Sequence, residues 1–217
     1  MVAPAKVPPA DVLIVTATRV ESKAVLDAFA KLTGQTARIV TKNRRTYRDL
    51  GEVGGTRVFL ALTEMGSSSL GASQQAVQKG IEALNPGAVI LVGIAFGMDE
   101  KKQHIGDVLV SRQLQLYDVQ RVGTDRIIPR GDKPHASTRL IADLDWDESK
   151  VNIAFGLLLS GEKLVDHLDY REQLKQFGPE AIGGEMEGAG LYVACQDAQV
   201  DWIVVKAICD WADGYKK

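Results

Sequence analysis

The sequence predicts an α/β protein built on a mostly parallel sheet that is covered by helices on both sides. Short apolar runs typical of buried strands alternate along the chain with segments of helical periodicity. Several of these runs are apolar throughout, which favours strands that are buried on both faces. With 217 residues, 45% of them apolar and 25% charged, the chain has the length and composition of one sizeable globular domain.

The chain opens on MVAPAKVPPA, which holds three of the seven prolines and has no periodicity. This segment predicts a disordered leader or linker over residues 1–10, ahead of a folded domain over residues 11–217. The run VLIVT predicts the first strand, Val12–Thr16. Residues 21–32 then carry apolar side chains at helical spacing, and Glu21 falls in the first turn, where the helix dipole favours an acid.

Four cations lie within TKNRRTYR, residues 41–48. A solvated strand edge explains such a cluster most simply. If the substrate carries phosphates, however, this is the one concentrated set of donors for them, made of Lys42, Arg44, Arg45 and Arg48.

A short strand is predicted over residues 58–62, and the run GSSSLGAS follows it. This run nearly fits a phosphate-binding loop, but Ala72 stands where the lysine must be, which excludes a nucleotide triphosphatase. Ser67 to Ser69 are instead predicted to cap a helix that runs to Leu84. The free N–H groups of such a helix start could hold a hydroxyl or phosphate group of a ligand.

Predicted strands and helices continue to alternate in the second half of the chain. Residues 88–92, AVILV, predict a fully buried strand that breaks into the turn GIAFGM, where a flat ring could lie against the backbone. Further strands are predicted within residues 106–122 and over 155–160 and 202–209, an irregular loop over 126–136, and helices over 136–146, 165–177 and 186–197.

Two acidic segments near the end of the chain are candidates for chemistry. In AIGGEMEGAG, Glu185 and Glu187 flank Met186 at the predicted start of a helix. Each glycine inside a helix costs about 0.8–1.0 kcal/mol relative to alanine, so close approach of a ligand or a neighbouring backbone must favour the glycines here. Asp210 follows an apolar strand and therefore lies at the carboxyl edge of the sheet, where ligands bind in open α/β sheets.

Composition and charge exclude several classes of protein. A net charge of -2 favours neither nucleic acid nor a membrane surface as a partner. No signal peptide or stretch of about 20 apolar residues is present, so the expected compartment is the cytoplasm. Cys195 and Cys209 lack metal-ligand or disulfide spacing and are predicted to be buried, reduced thiols. His104, His135 and His167 are predicted to be surface residues. No metal or cofactor is predicted.

Six segments occur in the order in which they occur in one superfamily: VLIVTATRVE, ILVGIAFGM, IGDVLVS, LLLSGEKLVD, EMEGAG and AICDWAD. On these segments the chain resembles the nucleoside phosphorylase superfamily, nearest to its 5′-methylthioadenosine/S-adenosylhomocysteine nucleosidase branch. The resemblance covers residues 12–213 and implies a three-layer fold, a partly closed sheet and a homo-oligomer. Such proteins continue into a closing helix after Asp213, so we expect a domain that lacks this helix or is part of a longer chain, as in the nucleosidase domains of bacterial defence proteins.

The resemblance also implies roles for the acids. Asp210, with apolar surroundings that disfavour the charged form of a carboxyl group, would be the general acid that gives a proton to N7 of the base. Glu21 would deprotonate the attacking water. Glu187 and Met186 would hold the ribose hydroxyls, and Glu185 would be either a second sugar contact or an acid that orients the loop.

The pocket for the base and sugar is implied in the same way. Its residues on this chain are Ala95, Phe96, Leu164, Val165 and Ala212. Many relatives have an aromatic residue at the position of Leu164, so the way in which the base stacks is left open. Phosphorolytic relatives have a hydroxyl-bearing residue at the position of Ile94, and its absence favours water as the nucleophile.

The sequence therefore predicts a hydrolase that cleaves the N-glycosidic bond of an adenine nucleoside or nucleotide. One alternative is a purine nucleoside phosphorylase that uses inorganic phosphate. Another is a non-catalytic module that senses purine nucleosides or nucleotides.

Overall fold

The computed structural model describes residues 8–124, 127–142 and 151–215, in which it has eleven strands and five helices. The strands are β1 (Val12–Thr16), β2 (Arg38–Lys42), β3 (Arg45–Val53), β4 (Thr56–Leu62), β5 (Ala88–Gly97), β6 (Val108–Leu116), β7 (Gln120–Val122), β8 (Ile127–Pro129), β9 (Ile153–Ser160), β10 (Ala181–Glu185) and β11 (Asp201–Asp210). The helices are α1 (Arg19–Thr33), α2 (Ser73–Leu84), α3 (Thr138–Ala142), α4 (Leu168–Phe177) and α5 (Gly188–Ala198).

Nine of the strands form one sheet, in the order β10-β9-β6-β11-β5-β1-β4-β3-β2. Strand β10 also pairs with β5, through Gly183 and Gly184, and so closes five strands of the sheet into a ring. Five of the pairings are parallel and four are antiparallel. The predicted mixed, mostly parallel and partly closed sheet is confirmed.

Both faces of the sheet are covered, as the side chains of β1 show. Leu13 packs into a cluster with Val77 of α2 and Leu191 of α5. The next residue, Ile14, points to the opposite face and packs with Val25 of α1. This alternation is expected of a strand between two layers of helices.

The parallel strands bring their carboxyl ends to one edge of the sheet. At this edge Thr16 of β1 pairs with Leu62 of β4, and Asp210 of β11 pairs with Phe96 of β5. The register of β11 shifts by one residue just before Asp210. Such an irregularity at a strand end re-aims the side chains that follow it.

Several predicted boundaries were wrong. Helix α2 begins at Ser73, and its N-cap Ala72 has no side-chain bond, so the serines before it do not cap it. The segment Ala181–Glu185 is a strand rather than the lead into a helix. A short strand, Ile127–Pro129, lies in the predicted loop. The solvated strand edge predicted over residues 41–48 is part of a hairpin of two strands, Arg38–Lys42 and Arg45–Val53, whose full extent was not predicted because the hairpin lacks long apolar runs.

Parts of two predictions lie outside the described residues. They are the first seven residues of the leader and residues 143–146 of the predicted helix over 136–146. Ala10, which was assigned to the leader, is buried, and its N–H donates to the carbonyl of Leu84 at 3.0 Å. Among the described residues, no helix combines the length and the apolar character that crossing a bilayer requires.

Helices α2 and α5 meet at Gly190, and this contact leads to a test of the packing. A methyl group on Gly190 would lie 2.5 Å from the backbone nitrogen of Gln74 and even closer to Ser73. We expect Gly190→Ala to lower the free energy of unfolding by about 2–3 kcal/mol, since overpacking forces backbone shifts. The control is Gly87→Ala, whose new methyl would find its nearest neighbour at 3.5 Å. Equal urea midpoints for the two variants would contradict the expectation.

Candidate active site

A pocket opens at the carboxyl edge of the sheet, and the space inside it, counted together with open solvent, is about 520 Å³. Most of the predicted catalytic and substrate-binding residues line this pocket: Glu21, Ala95, Phe96, Leu164, Val165, Glu185, Met186, Glu187 and Asp210. Residues that are far apart in the sequence therefore meet at a single concave surface.

Four of the predicted site residues lie outside this pocket. Ala212 is fully buried, and its N–H donates to Oδ1 of Asp210 at 2.9 Å, so it positions that acid instead of contacting a ligand. Arg44 is exposed in the turn between β2 and β3. The guanidinium of Arg45 donates to the side chain of Gln75, and Arg48 lines a separate groove. The predicted cluster of phosphate donors is thus divided between different surfaces.

Glu21 is held at the rim of the pocket by backbone amides. Its Oε2 accepts from the N–H groups of Ala17 at 2.9 Å and Thr18 at 2.7 Å, which closes the capping box of α1. Its Oε1 accepts from the N–H of Ile94 at 3.0 Å, and a side chain on Gly93 would come within 2.5 Å of that oxygen. A carboxylate has about four acceptor sites, so one is left for a water molecule in the pocket.

Asp210 enters the pocket from the end of β11. Its Oδ1 accepts the N–H of Ala212, and its Oδ2 accepts the S–H of Cys209 at 3.0 Å. The residue is half-buried and is paired in register with Phe96. The strand end and the turn after it therefore fix the direction of this carboxyl group.

A buried charge cluster joins β10, α5 and β11. Lys206 is 1% exposed, and its Nζ lies 2.9 Å from Oε2 of Glu187 and 3.4 Å from Oε2 of Glu185. Both oxygens of Glu185 also accept backbone N–H groups, from Glu187 at 3.0 Å and from Gly188 at 2.9 and 3.0 Å. Because the side chain of Glu185 is 0% exposed, this geometry favours a role in orienting the loop over a contact with the sugar.

The cluster perturbs the protonation of its members. Burial raises the pKa of Glu185, against the opposing effect of Lys206, and the charge of Glu187 raises it further. For Lys206, burial alone would lower the pKa, but Glu187 and Glu185 outweigh burial and hold the pKa of the ammonium above its ordinary value. Lys206 therefore stays charged and neutralises part of the negative charge beneath the pocket.

The glycine- and serine-rich loop before α2 supports the same cluster. The N–H of Gly66 donates to Oε1 of Glu187 at 3.2 Å, and Oγ of Ser67 donates to the carbonyl of Met186 at 2.7 Å. The N–H of Ser67 donates to the carboxylate of Glu162. These N–H groups, predicted to hold a ligand, are bound by acids of the protein itself.

The apolar wall of the pocket depends on a glycine. A side chain on Gly184 would lie 2.6 Å from Cε1 of Phe96, so the bare backbone of β10 makes room for this ring. Phe96 and Val165 are buried in one cluster, while Leu164 and Ile94 at the rim are 60% and 45% exposed. A planar base can pack on the wall, and the rim is open to solvent.

Sequence reasoning missed Lys206. The available signal was a lysine inside the apolar run WIVVKAIC, because a cation in a buried strand requires an acidic partner. All three histidines are exposed and both cysteines are free, as predicted. Cys195 is buried, but the prediction that Cys209 is buried was wrong, because this residue lies at the end of β11 and is partly exposed. No group of side chains suited to a metal ion occurs within the described ranges.

Comparisons with known proteins agree with this geometry. A family model described as Phosphorylase superfamily matches residues 11–217. The chain is 29% identical over 232 residues to a death domain-containing ATP nucleosidase of Amphimedon queenslandica, in an alignment that includes 94% of this chain but 44% of that relative. The chain thus spans less than half of the relative's length. It is 28% identical over 161 residues to a 5′-methylthioadenosine/S-adenosylhomocysteine nucleosidase of Staphylococcus epidermidis, covering 71% of this chain and 70% of the relative.

Two solved structures from Helicobacter pylori have the same fold. A futalosine hydrolase mutant superposes with a TM-score of 0.78 at 22% identity, over 94% of this chain and 87% of that one. A 5′-methylthioadenosine/S-adenosylhomocysteine nucleosidase superposes with a TM-score of 0.76 at 22% identity, over 95% and 87% of the two chains.

Proposed function

Because the chain belongs to the phosphorylase superfamily, we propose that it hydrolyses the N-glycosidic bond of an adenine nucleoside or nucleotide and releases free adenine. The observation that carries the proposal is the convergence of Glu21, Glu187 and Asp210 on one pocket with an apolar wall. The names of the two relatives, an ATP nucleosidase and a 5′-methylthioadenosine/S-adenosylhomocysteine nucleosidase, support this reaction.

Departure of the base requires a proton, because an adenine anion is a poor leaving group. Asp210 gives its proton to N7 as the bond between N9 and the sugar carbon C1′ breaks, and the electron pair of that bond stays on the base. The N–H of Ala212 and the S–H of Cys209 hold the carboxyl group in place. Free adenine leaves with the transferred proton.

The sugar carbon becomes electron-poor as the base departs. Glu187 accepts hydrogen bonds from the ribose hydroxyls, and these bonds strengthen as positive charge develops on the ring. Lys206 and the N–H of Gly66 hold the two oxygens of Glu187, so the acid does not have to reorganise during the reaction. Lys206 is therefore a positioning residue that acts through Glu187.

Water completes the reaction. Glu21 accepts a proton from a water molecule, whose oxygen forms the new bond to C1′. Water that enters on the face opposite the base inverts the configuration at C1′. Ile94 has no side-chain hydroxyl group that could bind inorganic phosphate. Its backbone N–H donates to Oε1 of Glu21.

The proposal includes a homo-oligomer of this domain within a longer chain. Three apolar side chains at the rim, Met65, Ile94 and Leu164, are 54%, 45% and 60% exposed, and a neighbouring subunit that covers them would close the pocket. Light scattering coupled to size exclusion gives the mass in solution. A monomer that is fully active would exclude a pocket shared between subunits.

Free adenine is the expected product when the protein is incubated with ATP, AMP, adenosine and methylthioadenosine in buffer without phosphate. Chromatography of the products measures its release. A requirement for inorganic phosphate, with a sugar 1-phosphate as product, would assign the site to a phosphorylase. Adenine ligands that stabilise the protein without being cleaved would indicate a sensing module and overturn the hydrolase.

A further inference from the structure

A second groove lies beside the active-site pocket, between α1 and the outer strands β3 and β4. The space in it, counted together with open solvent, is about 880 Å³. Its lining consists of Ser22, Leu26, Thr46, Leu60 and Leu62 together with three cations, Arg19, Lys23 and Arg48. None of the residues that line it is acidic. The whole chain has a net charge of -2, so this local excess of positive charge is not a general property of the surface.

The first turn of α1 separates the groove from the pocket. Thr18 and Glu21 line the pocket, whereas Arg19 and Ser22, each the next residue along the helix, line the groove. Oγ of Ser22 and Oγ1 of Thr16 share a hydrogen bond of 2.6 Å at the end of β1, which fixes this turn on the sheet edge. Successive residues of a helix are about 100° apart around its axis, so the groove and the pocket lie on adjacent faces of this turn.

Arg48 reaches the groove because of the alternation of side chains along β3. Its neighbour Tyr47 points to the other side of the sheet, where its hydroxyl donates to the carbonyl of Lys79 in α2. Arg45 points to that side as well and donates to Gln75. Of the three arginines in this part of the sequence, Arg48 is thus the one that faces α1.

The two guanidinium groups of the groove lack partners in the part of the chain that the structure describes. Neither Arg19 nor Arg48 takes part in a hydrogen bond or ion pair there. Arginines in another depression of this surface are paired: Arg38 and Arg57 both bind Asp49, at 2.6 and 2.8 Å. The guanidinium groups of Arg19 and Arg48 are thus available to an anionic ligand.

We propose that this groove binds the phosphate groups of a nucleotide, whose adenosine part occupies the pocket. The inference rests on the proposed function and narrows its substrate class to 5′-phosphorylated adenosine. Arg19 and Arg48 bind phosphate oxygens through their guanidinium groups, and Lys23, which is paired with Asp27 on the exposed side of α1, adds a further positive charge. An uncharged nucleoside makes none of these contacts.

The test compares kcat/KM for ATP, AMP and adenosine in the wild type and in Arg19→Gln, Arg48→Gln and the double variant. We expect the ratio of kcat/KM for ATP to that for adenosine to fall about 10-fold in each single variant and about 100-fold in the double variant, as hydrogen bonds between charged groups are lost. The control is Lys31→Gln, which removes an exposed cation about 18 Å further along α1 and keeps the wild-type ratio. A ratio in the double variant that stays within threefold of the wild type overturns the inference.

A binding measurement separates this inference from the proposed reaction. Calorimetric titration with ATP is made in the Asp210→Asn background, in which the nucleotide should remain uncleaved. There we expect Arg19→Gln and Arg48→Gln together to weaken ATP binding about 100-fold. If the two arginine substitutions leave the affinity for ATP unchanged, the groove is not a phosphate site, even if the wild type releases adenine. Inorganic triphosphate is titrated in parallel. If triphosphate binds but ATP binds no more tightly than adenosine, the groove is a site for a free anion, and the proposal that it binds the phosphates of a nucleotide is overturned.

Discussion

Asp210→Asn should greatly slow the release of adenine. We expect kcat to fall by about 10³-fold, because the amide has nearly the shape of the carboxyl group but has no acidic proton to give to N7. The N–H of Ala212 can still donate to the side-chain oxygen, so the pocket keeps its geometry. Binding of adenine ligands should therefore survive, and chromatography of free adenine together with calorimetric titration measures the two quantities separately.

A nearby acid provides the matched control. Asp213→Asn changes a carboxyl group that accepts the N–H of Tyr215 and lies outside the pocket, so turnover should stay within threefold of the wild type. If Asp210→Asn retained a tenth or more of the wild-type kcat, Asp210 would not be the general acid. A protein that loses ligand binding together with turnover would point to a structural role for Asp210.

Lys206→Met has the largest expected effect on stability. Methionine fills a similar volume, but the substitution leaves Glu185 and Glu187 buried without their cation. Removing one partner of a buried ion pair costs about 3–5 kcal/mol, which corresponds to a decrease of about 10 °C in Tm for a chain of this size. Turnover should fall as well, since Glu187 loses the ammonium that positions it.

The loss of stability caused by Lys206→Met should depend on pH. The pKa of Glu185 is higher in the folded protein than its ordinary value of 4.5. The stability that Glu185 contributes is therefore fully present below pH 4.5 and is lost as the pH rises through the raised pKa of the folded state. Without Lys206 this effect is larger, because the cation that opposes it is gone. The difference in Tm between Lys206→Met and the wild type should therefore widen from pH 5 to pH 8.

Lys79→Met controls for the loss of a positive charge. Lys79 is exposed on α2, and its replacement should change the free energy of unfolding by no more than about 0.5 kcal/mol. Thermal melts of the two variants and the wild type at both pH values are the measurement. A loss for Lys206→Met that is independent of pH, or no larger than that of Lys79→Met, would contradict the buried charge cluster.

The parts of the fold that follow from local sequence could be predicted. Apolar runs such as VLIVT mark buried strands because each side chain must leave water on one face or the other. The outer hairpin was predicted only as a solvated strand edge over residues 41–48, since its first strand, β2, has no buried residue. The pairing of β10 with β5 also left no local signal, because it depends on Gly183 and Gly184 approaching a strand about ninety residues earlier.

The candidate site, like the fold, could be predicted only in part from the sequence. Glu21, Glu187 and Asp210 could be placed in one site because each belongs to a segment that resembles a family motif, and the structure places all three on the same pocket. The arginines after β2 looked like one cluster in the sequence, but strand alternation sends Arg45 and Arg48 to opposite sides of the sheet. Arg45 donates to Gln75 of α2 and Arg48 faces α1, and sequence spacing reveals neither neighbour.

In the proposed reaction, water replaces adenine at C1′. The measurement that tests this replacement is a count of free adenine and reducing sugar together, in buffer depleted of phosphate by an enzymatic scavenger. We expect equal amounts of the two products from the wild type, and about 10³-fold slower release of both from Asp210→Asn. Adenine without an equal amount of sugar, or turnover that appears only when phosphate is restored, would contradict it.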